Sequence, residues 1–88
     1  MNELEDLQIL RAKAKFESRR GMLELDVFLR SFVERYADEW DYNELMQYLQ
    51  FLEAPDPDLF AWLMGYETPP NEFEHLVESI RIFRQHNG

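Results

Sequence analysis

The chain has 88 residues, a formal net charge of −9 and no cysteine. A chain of this length forms one domain that buries only about 60% of its unfolded surface, which disfavours a deep catalytic cleft. The missing cysteines exclude disulfides, thiolate nucleophiles and cysteine-ligated metals, and the negative charge disfavours nucleic acid and anionic membranes as partners.

The first predicted helix covers residues 3–17. Asn2 provides a capping side chain, and Glu5 stands three residues later, as a capping box requires. The apolar stripe is narrow, so we expect this helix to lie at the edge of the bundle. The stripe consists of Leu4, Leu7, Leu10 and Ala14.

The second predicted helix covers residues 22–37. Its apolar residues recur at i, i+3, i+4 and i+7 without interruption, a spacing typical of a helix that buries one face. We therefore expect it to be the central helix of the core. The stripe consists of Leu25, Phe28, Leu29, Phe32, Val33 and Tyr36.

The third predicted helix covers residues 42–53. Asp41 is its capping residue, and Glu44 completes a capping box. Its apolar side consists of Leu45, Met46, Tyr48, Leu49 and Leu52.

The fourth predicted helix is short and covers residues 57–64. Asp56 is expected to cap it, Pro57 suits the first helical position, and Gly65 is expected to end it. The residues expected to face inward are Leu59, Phe60, Leu63 and Met64.

The fifth predicted helix covers residues 70–86. Thr68 and Asn71 are both possible caps, and Asn71 forms the better box because Glu74 follows it at the required spacing. The buried stripe consists of Phe73, Leu76, Val77, Ile80 and Phe83. Since all connections are short, consecutive helices are neighbours in space. The sequence predicts an all-α fold, a compact single-domain bundle of five helices.

The junction between the first two helices is the most informative segment. One interpretation is purely structural: Gly21 ends the first helix, Arg19 and Arg20 favour its negative end, and Glu24 and Asp26 occupy the first turn of the second helix. This interpretation needs no partner.

A second interpretation treats the same junction as a docking edge. Arg20 and Glu24 flank a glycine at a helix start, where backbone N–H groups are unpaired. Gly21 has no side chain to keep a partner at a distance, and Met22 is a flexible apolar residue suited to an adaptable contact. Both interpretations remain open on the residues alone.

The string Arg20-Gly21-Met22-Leu23-Glu24 resembles the Arg-Gly-x-x-Glu motif of the succinate dehydrogenase FAD assembly factor family. A second block is similar to the same family: Phe51-Leu52-Glu53, then Asp56-Pro57-Asp58-Leu59-Phe60 and Trp62-Leu63-Met64. Two blocks in the right order and spacing are far more specific than a five-residue motif. The resemblance covers about residues 13–65.

The resemblance implies a five-helix protein that binds the flavoprotein subunit of succinate dehydrogenase, and possibly of fumarate reductase. Members promote covalent attachment of FAD to a histidine of that client, without acting as enzymes. Carried over by position, the motif implies a partner-binding role for Arg20, Gly21 and Glu24. The neighbouring residues added to this set are Arg19, Met22 and Asp26. The alternative function is an antitoxin-like or regulatory interaction module.

Other features predict no further chemistry. Glu72 and His75 have the spacing of a di-iron motif, but such a site needs a second copy and further glutamates, so we expect no metal. No glycine-rich phosphate loop is present, so we expect no stably bound FAD. The sequence does not decide whether Trp62 and Phe60 pack in the core or form exposed contacts. We expect a monomer in the cytoplasm, since the N-terminus is acidic and the longest wholly apolar run, residues 59–64, is only six residues, far short of a membrane span.

Overall fold

The helical periodicity of the sequence is realised in five α-helices of the computed structural model, which describes residues 3–87, the side chain of Asn87 excepted. The helices are α1 (Glu3–Glu17), α2 (Leu23–Tyr36), α3 (Tyr42–Phe51), α4 (Asp56–Met64) and α5 (Glu74–Asn87). Two short 3₁₀ turns, Ala37–Glu39 and Asn71–Phe73, precede α3 and α5. The prediction of an all-helical, five-helix fold is confirmed for this part of the chain.

The second helix is the centre of the bundle. It packs against α1, α4 and α5. Leu25, Leu29, Phe32 and Val33 are buried, as the sequence pattern predicts. The chain measures 42 × 25 × 24 Å along its principal axes, and none of the helices in residues 3–87 is long and apolar enough to cross a bilayer.

Aromatic side chains form a continuous chain of contacts through the core. Phe32 has ring neighbours in Trp40 and Tyr48, with centroids 5.7 and 6.5 Å away, and Tyr48 leads on to Phe51 at 6.3 Å. Trp62 extends this chain, because its ring lies 6.2 Å from that of Phe51. Such tilted and edge-on pairs stabilise the core beyond their buried area. Trp62 is therefore a half-buried flank of the core.

Phe60 is placed differently. It is half-buried, and its nearest ring partner is the exposed Tyr66, in a T-shaped arrangement with centroids 6.2 Å apart. It belongs to the border between core and surface.

The first helix lies at the edge, as expected. Ala14 is fully buried, whereas Leu4 keeps 59% of its surface exposed. Arg11 fastens α1 to the connection between α2 and α3, because its guanidinium donates to the carbonyls of Ala37 and Trp40, both at 3.0 Å. The predicted cap Asn2 lies outside the described residues.

Two predicted helix ends are confirmed. The Asp41 side chain accepts from the backbone N–H of Glu44 at 2.9 Å, and the Glu44 side chain accepts from the Asp41 N–H at 3.1 Å. This reciprocal pair is the predicted capping box. Gly65 ends α4 with a φ of +79°, a left-handed conformation that only glycine adopts without strain.

Two predicted caps are wrong. Asp56 is the first residue of α4, Pro55 precedes it, and no side chain caps this helix. Asn71 is no cap either, because residues 71–73 form a 3₁₀ turn in which the N–H of Phe73 donates to Pro70 at 2.9 Å. The tighter turn brings Phe73 into the core, where it is buried.

Two core assignments also change. Met46, predicted on the apolar side of α3, and Met64, predicted to face inward from α4, are 42% and 37% exposed. Phe51 lies one helical turn beyond Tyr48 and is completely buried. Which side chains of α3 are buried depends on where the neighbouring helices pack, and the apolar pattern of α3 alone does not give that information.

Candidate docking site

The connection between α1 and α2, residues 18–22, begins at a buried hydrogen-bond relay. The Ser18 hydroxyl donates to the carbonyl of Ala14 at 2.8 Å, and the Tyr48 hydroxyl, 2.6 Å away, donates in turn to Ser18. Both side chains are buried, and this burial raises the pKa of Tyr48 above its ordinary value. The relay anchors the start of the connection to α3.

Arg20 turns inward from the same connection. Its Nη1 donates to Oδ1 of Asp56 at 2.9 Å, and its Nη2 donates to the carbonyl of Leu52 at 2.9 Å. The side chain is 17% exposed, and its Nε–H is buried without an acceptor among residues 3–87. Arg20 therefore ties the connection to the junction of α3 and α4.

Asp26 holds the backbone of the connection from the other side. Its Oδ1 accepts from the N–H of Arg20 at 2.7 Å, and its Oδ2 faces Arg30 at 3.4 Å. The carboxylate is mostly shielded from solvent. Arg20 and Asp26 were both predicted to bind a partner; the structure engages both within the molecule, and their contact with a partner stays a prediction.

Gly21 lies between these anchors and faces solvent. The interpretation that it ends the first helix is wrong, because α1 ends at Glu17 and the φ of Gly21 is not in the left-handed region. A Cβ added at Gly21 would meet no atom within 4 Å. The fold of this chain therefore gives no reason for a glycine here, whereas close approach by a second protein would.

Three further predicted residues point outward beside Gly21. Glu24 is exposed in the first turn of α2, and no hydrogen bond or ion pair within the described chain engages its carboxylate. Arg19 and Met22 are also exposed. We call the exposed set Arg19, Gly21, Met22 and Glu24 the corner.

The backbone at the corner is also open to a partner. Met22 is the residue before α2, and no side chain caps the helix there. The first N–H groups of a helix have no partner within the helix, so here they are left to water or to another molecule. The corner thus combines a bare glycine, an unpaired carboxylate and a helix start without a cap.

Sequence reasoning did not identify Leu23 as an exposed apolar residue beside the corner. It was quoted as part of the motif but not singled out, although it stands outside the buried stripe of α2. In the structure it is 75% exposed, the most exposed of the large apolar side chains in residues 3–87. An apolar residue off the buried stripe and directly beside a polar motif was the available signal.

The Glu72–His75 pair forms no recognisable metal site. Both side chains are exposed, and the carbonyl of Glu72 accepts from Gln47 Nε2 at 2.8 Å. Within residues 3–87, no three His, Asp or Glu side chains cluster closely enough to hold a metal ion.

Comparison with known protein families gives a match over most of the chain. Residues 12–84 match the family described as "Flavinator of succinate dehydrogenase". The matched range includes the corner, Asp26, Arg20 and the ion-pair partner of Arg20, Asp56.

Comparison with individual proteins agrees. The chain is 39% identical over 71 residues to the FAD assembly factor SdhE of Legionella pneumophila (strain Lens), covering 81% of this chain and 90% of that protein. It is 43% identical over 78 residues to the protein of the same name from Photobacterium profundum, covering 89% of this chain and 88% of that protein. It is 35% identical over 86 residues to the mitochondrial succinate dehydrogenase assembly factor 2 of Dictyostelium discoideum, covering 97% of this chain and 60% of that protein.

Proposed function

The chain belongs to the family of succinate dehydrogenase flavinators, and we propose that it promotes covalent attachment of FAD to the flavoprotein subunit of succinate dehydrogenase. The observation that supports a docking role most directly is the open space around Gly21. The glycine serves no need of this fold, and it lies beside an exposed carboxylate, Glu24, that has no partner within residues 3–87.

The chemistry of attachment belongs to the flavin and to the client's own side chains. Attachment requires a client histidine to face the flavin's reactive methyl carbon. A small rigid protein that binds the client best in that arrangement raises its population. We propose that this chain acts in this way, as a chaperone without catalytic turnover, and that FAD stays with the client.

Rigidity of the corner follows from its anchors. The Ser18–Tyr48 relay, the Arg20–Asp56 ion pair and the Asp26 carboxylate hold the connection at three points. A pre-organised surface loses less conformational entropy on binding, so more of its contact energy appears as affinity. In this arrangement Arg20 supports the docking site through its contacts inside the molecule.

Glu24 supplies the polar part of the contact. As an unpaired carboxylate in the first turn of α2, it suits a cationic or N–H group of the client. We propose the flavoprotein subunit of fumarate reductase as a second client. We further propose that the chain acts as a monomer in the cytoplasm, where a protein without cysteine needs no oxidising environment.

The first experiment places a bulky side chain on the glycine. Co-expression of the client with wild type, with Gly21→Arg and with Asn43→Arg would be compared by covalent flavin fluorescence on a denaturing gel. Asn43 is exposed on α3, so this control adds the same charge away from the corner. We expect at least tenfold less flavinylation with Gly21→Arg and wild-type levels with the control. Equal flavinylation in all three would contradict the docking proposal.

A second experiment tests the carboxylate. Glu24→Ala is compared with Glu34→Ala, which removes an exposed acid from the same helix without touching the corner. We expect weaker client binding and less flavinylation for Glu24→Ala alone. Pull-down from cell extract then identifies the partner: recovery of a toxin-like protein in place of a flavoprotein would favour the antitoxin-like alternative.

A further inference from the structure

A second surface feature adjoins the corner. Leu23 and Val27 on one side of α2, together with the half-buried Phe28, face Met64 at the end of α4 across a shallow groove of about 380 Å³. Glu24 and Arg84 complete its lining. We call these six residues the apolar groove.

The groove leaves apolar surface in water. Leu23 is 75% exposed, Met64 37% and Val27 36%. Exposure of apolar surface to water is unfavourable, so clustered exposure of this kind indicates a contact surface. Met64 also provides a flexible thioether that adapts to a partner's shape.

The lining carries one charge of each sign. Glu24 has no partner within residues 3–87, and the guanidinium of Arg84 lies over the Phe28 ring with 5.8 Å to its centroid. Arg84 makes no ion pair in the described chain. The matching ligand is an apolar side chain accompanied by a basic group that meets Glu24 and an acidic group that meets Arg84.

We propose that the apolar groove receives an apolar side chain of the client flavoprotein subunit, flanked by groups of opposite charge on the client. This inference rests on the proposed function. The client is the occupant because the groove adjoins the corner. Leu23 lies between the corner residues Met22 and Glu24 in the chain, and residues 23 and 27 are one helical turn apart, about 6 Å along the axis. A protein that reaches Gly21 therefore covers the groove as well.

Two other occupants fit less well. A net charge of −9 opposes adsorption to an anionic membrane. A second copy of this chain would need about 800 Å² of contact per partner for a stable dimer, far more than a six-residue groove provides.

The test uses truncations with matched controls. Leu23→Ala and Met64→Ala remove groove side chains; Leu4→Ala and Met46→Ala remove the same side chains at similarly exposed sites on α1 and α3. Affinity for the purified apo flavoprotein subunit is measured by biolayer interferometry, with thermal unfolding as a fold check. We expect binding to weaken by about 5- to 30-fold for the groove variants and by less than about twofold for the controls.

The outcomes separate the groove from the function itself. If wild type binds and Gly21→Arg does not, while both groove variants bind like wild type, the groove proposal is overturned and the proposed function stands. If wild type does not bind the subunit at all, both are overturned. If the groove variants alter self-association by light scattering but not client affinity, the occupant is a second copy, and the client assignment is wrong.

Discussion

Nη1 of Arg20 lies 2.9 Å from Oδ1 of Asp56, and this ion pair joins the α1–α2 connection to the first turn of α4. The two residues come from the two separate blocks on which the family resemblance rests. The structure brings the blocks together: the second block holds in place the motif of the first. Asp56 thereby contributes to the docking site without being exposed within it.

Loss of this ion pair is expected to destabilise the fold. Asp56→Ala removes a charged partner from a largely shielded guanidinium, so we expect the free energy of unfolding to fall by about 1–3 kcal/mol in urea denaturation. The control is Glu39→Ala, which breaks the exposed pair with Arg35 and should cost less than about 1 kcal/mol. Equal losses would show that burial adds nothing to the Arg20–Asp56 pair.

The two described glycines are expected to respond in opposite ways to the same substitution. Gly21→Ala meets open space and a permitted φ, so we expect it to leave stability unchanged or raise it by about 0.5 kcal/mol, while weakening client binding. Gly65→Ala must adopt a φ of +79° with its Cβ 3.1 Å from Arg81 Nη2, so we expect a loss of about 1–2 kcal/mol.

Thermal unfolding and client affinity, measured on both glycine variants, check this contrast. A large loss of stability in Gly21→Ala would mean that the fold itself requires that glycine, and the glycine would then be no indication of a partner.

The buried relay predicts an asymmetry between its two hydroxyl groups. Tyr48→Phe leaves Ser18 still bonded to the carbonyl of Ala14, so we expect a cost of about 1 kcal/mol. Ser18→Ala strands the buried Tyr48 hydroxyl without its acceptor, so we expect about 1–3 kcal/mol. Chemical denaturation of both variants measures the difference; a costlier Tyr48→Phe would contradict this asymmetry.

The buried hydroxyl of Tyr48 is also expected to make the folded protein less stable at alkaline pH. Burial raises its pKa in the folded protein, so the folded state holds the phenolic proton more tightly than the unfolded chain. Below about pH 10 this group leaves the free energy of unfolding unchanged. Above about pH 10 the free energy of unfolding decreases, with a slope that approaches about 1.4 kcal/mol per pH unit. Between about pH 10 and 11 we expect wild type to lose about 1 kcal/mol more than Tyr48→Phe. The free energy of unfolding is measured by urea denaturation at each pH; the same pH dependence in the two proteins would contradict this prediction.

Local signals in the sequence succeed where the deciding interaction is itself local. The Asp41–Glu44 capping box and the Gly65 helix end are complete within a few residues, and both are confirmed. Asp56 is not the cap, because α4 already begins at Asp56, and its carboxylate engages a distant arginine, 36 residues away in sequence. Propensity cannot weigh a competitor that only folding brings near.

The candidate site divides in the same way. The motif located the α1–α2 connection correctly, but it did not distinguish the outward Gly21 and Glu24 from the inward Arg20 and Asp26. Leu23 and Met64 were not assigned to one surface, because they are far apart in the chain and meet only when α4 packs beside α2.

By itself the sequence determined the number, order and type of the helices, since their apolar spacing repeats within each segment and needs no information from elsewhere. Only the tertiary structure decided which charged groups are used internally, which stay free for a partner and which apolar side chains share a groove. Those properties depend on distances between residues far apart in the chain, and packing of the helices sets these distances.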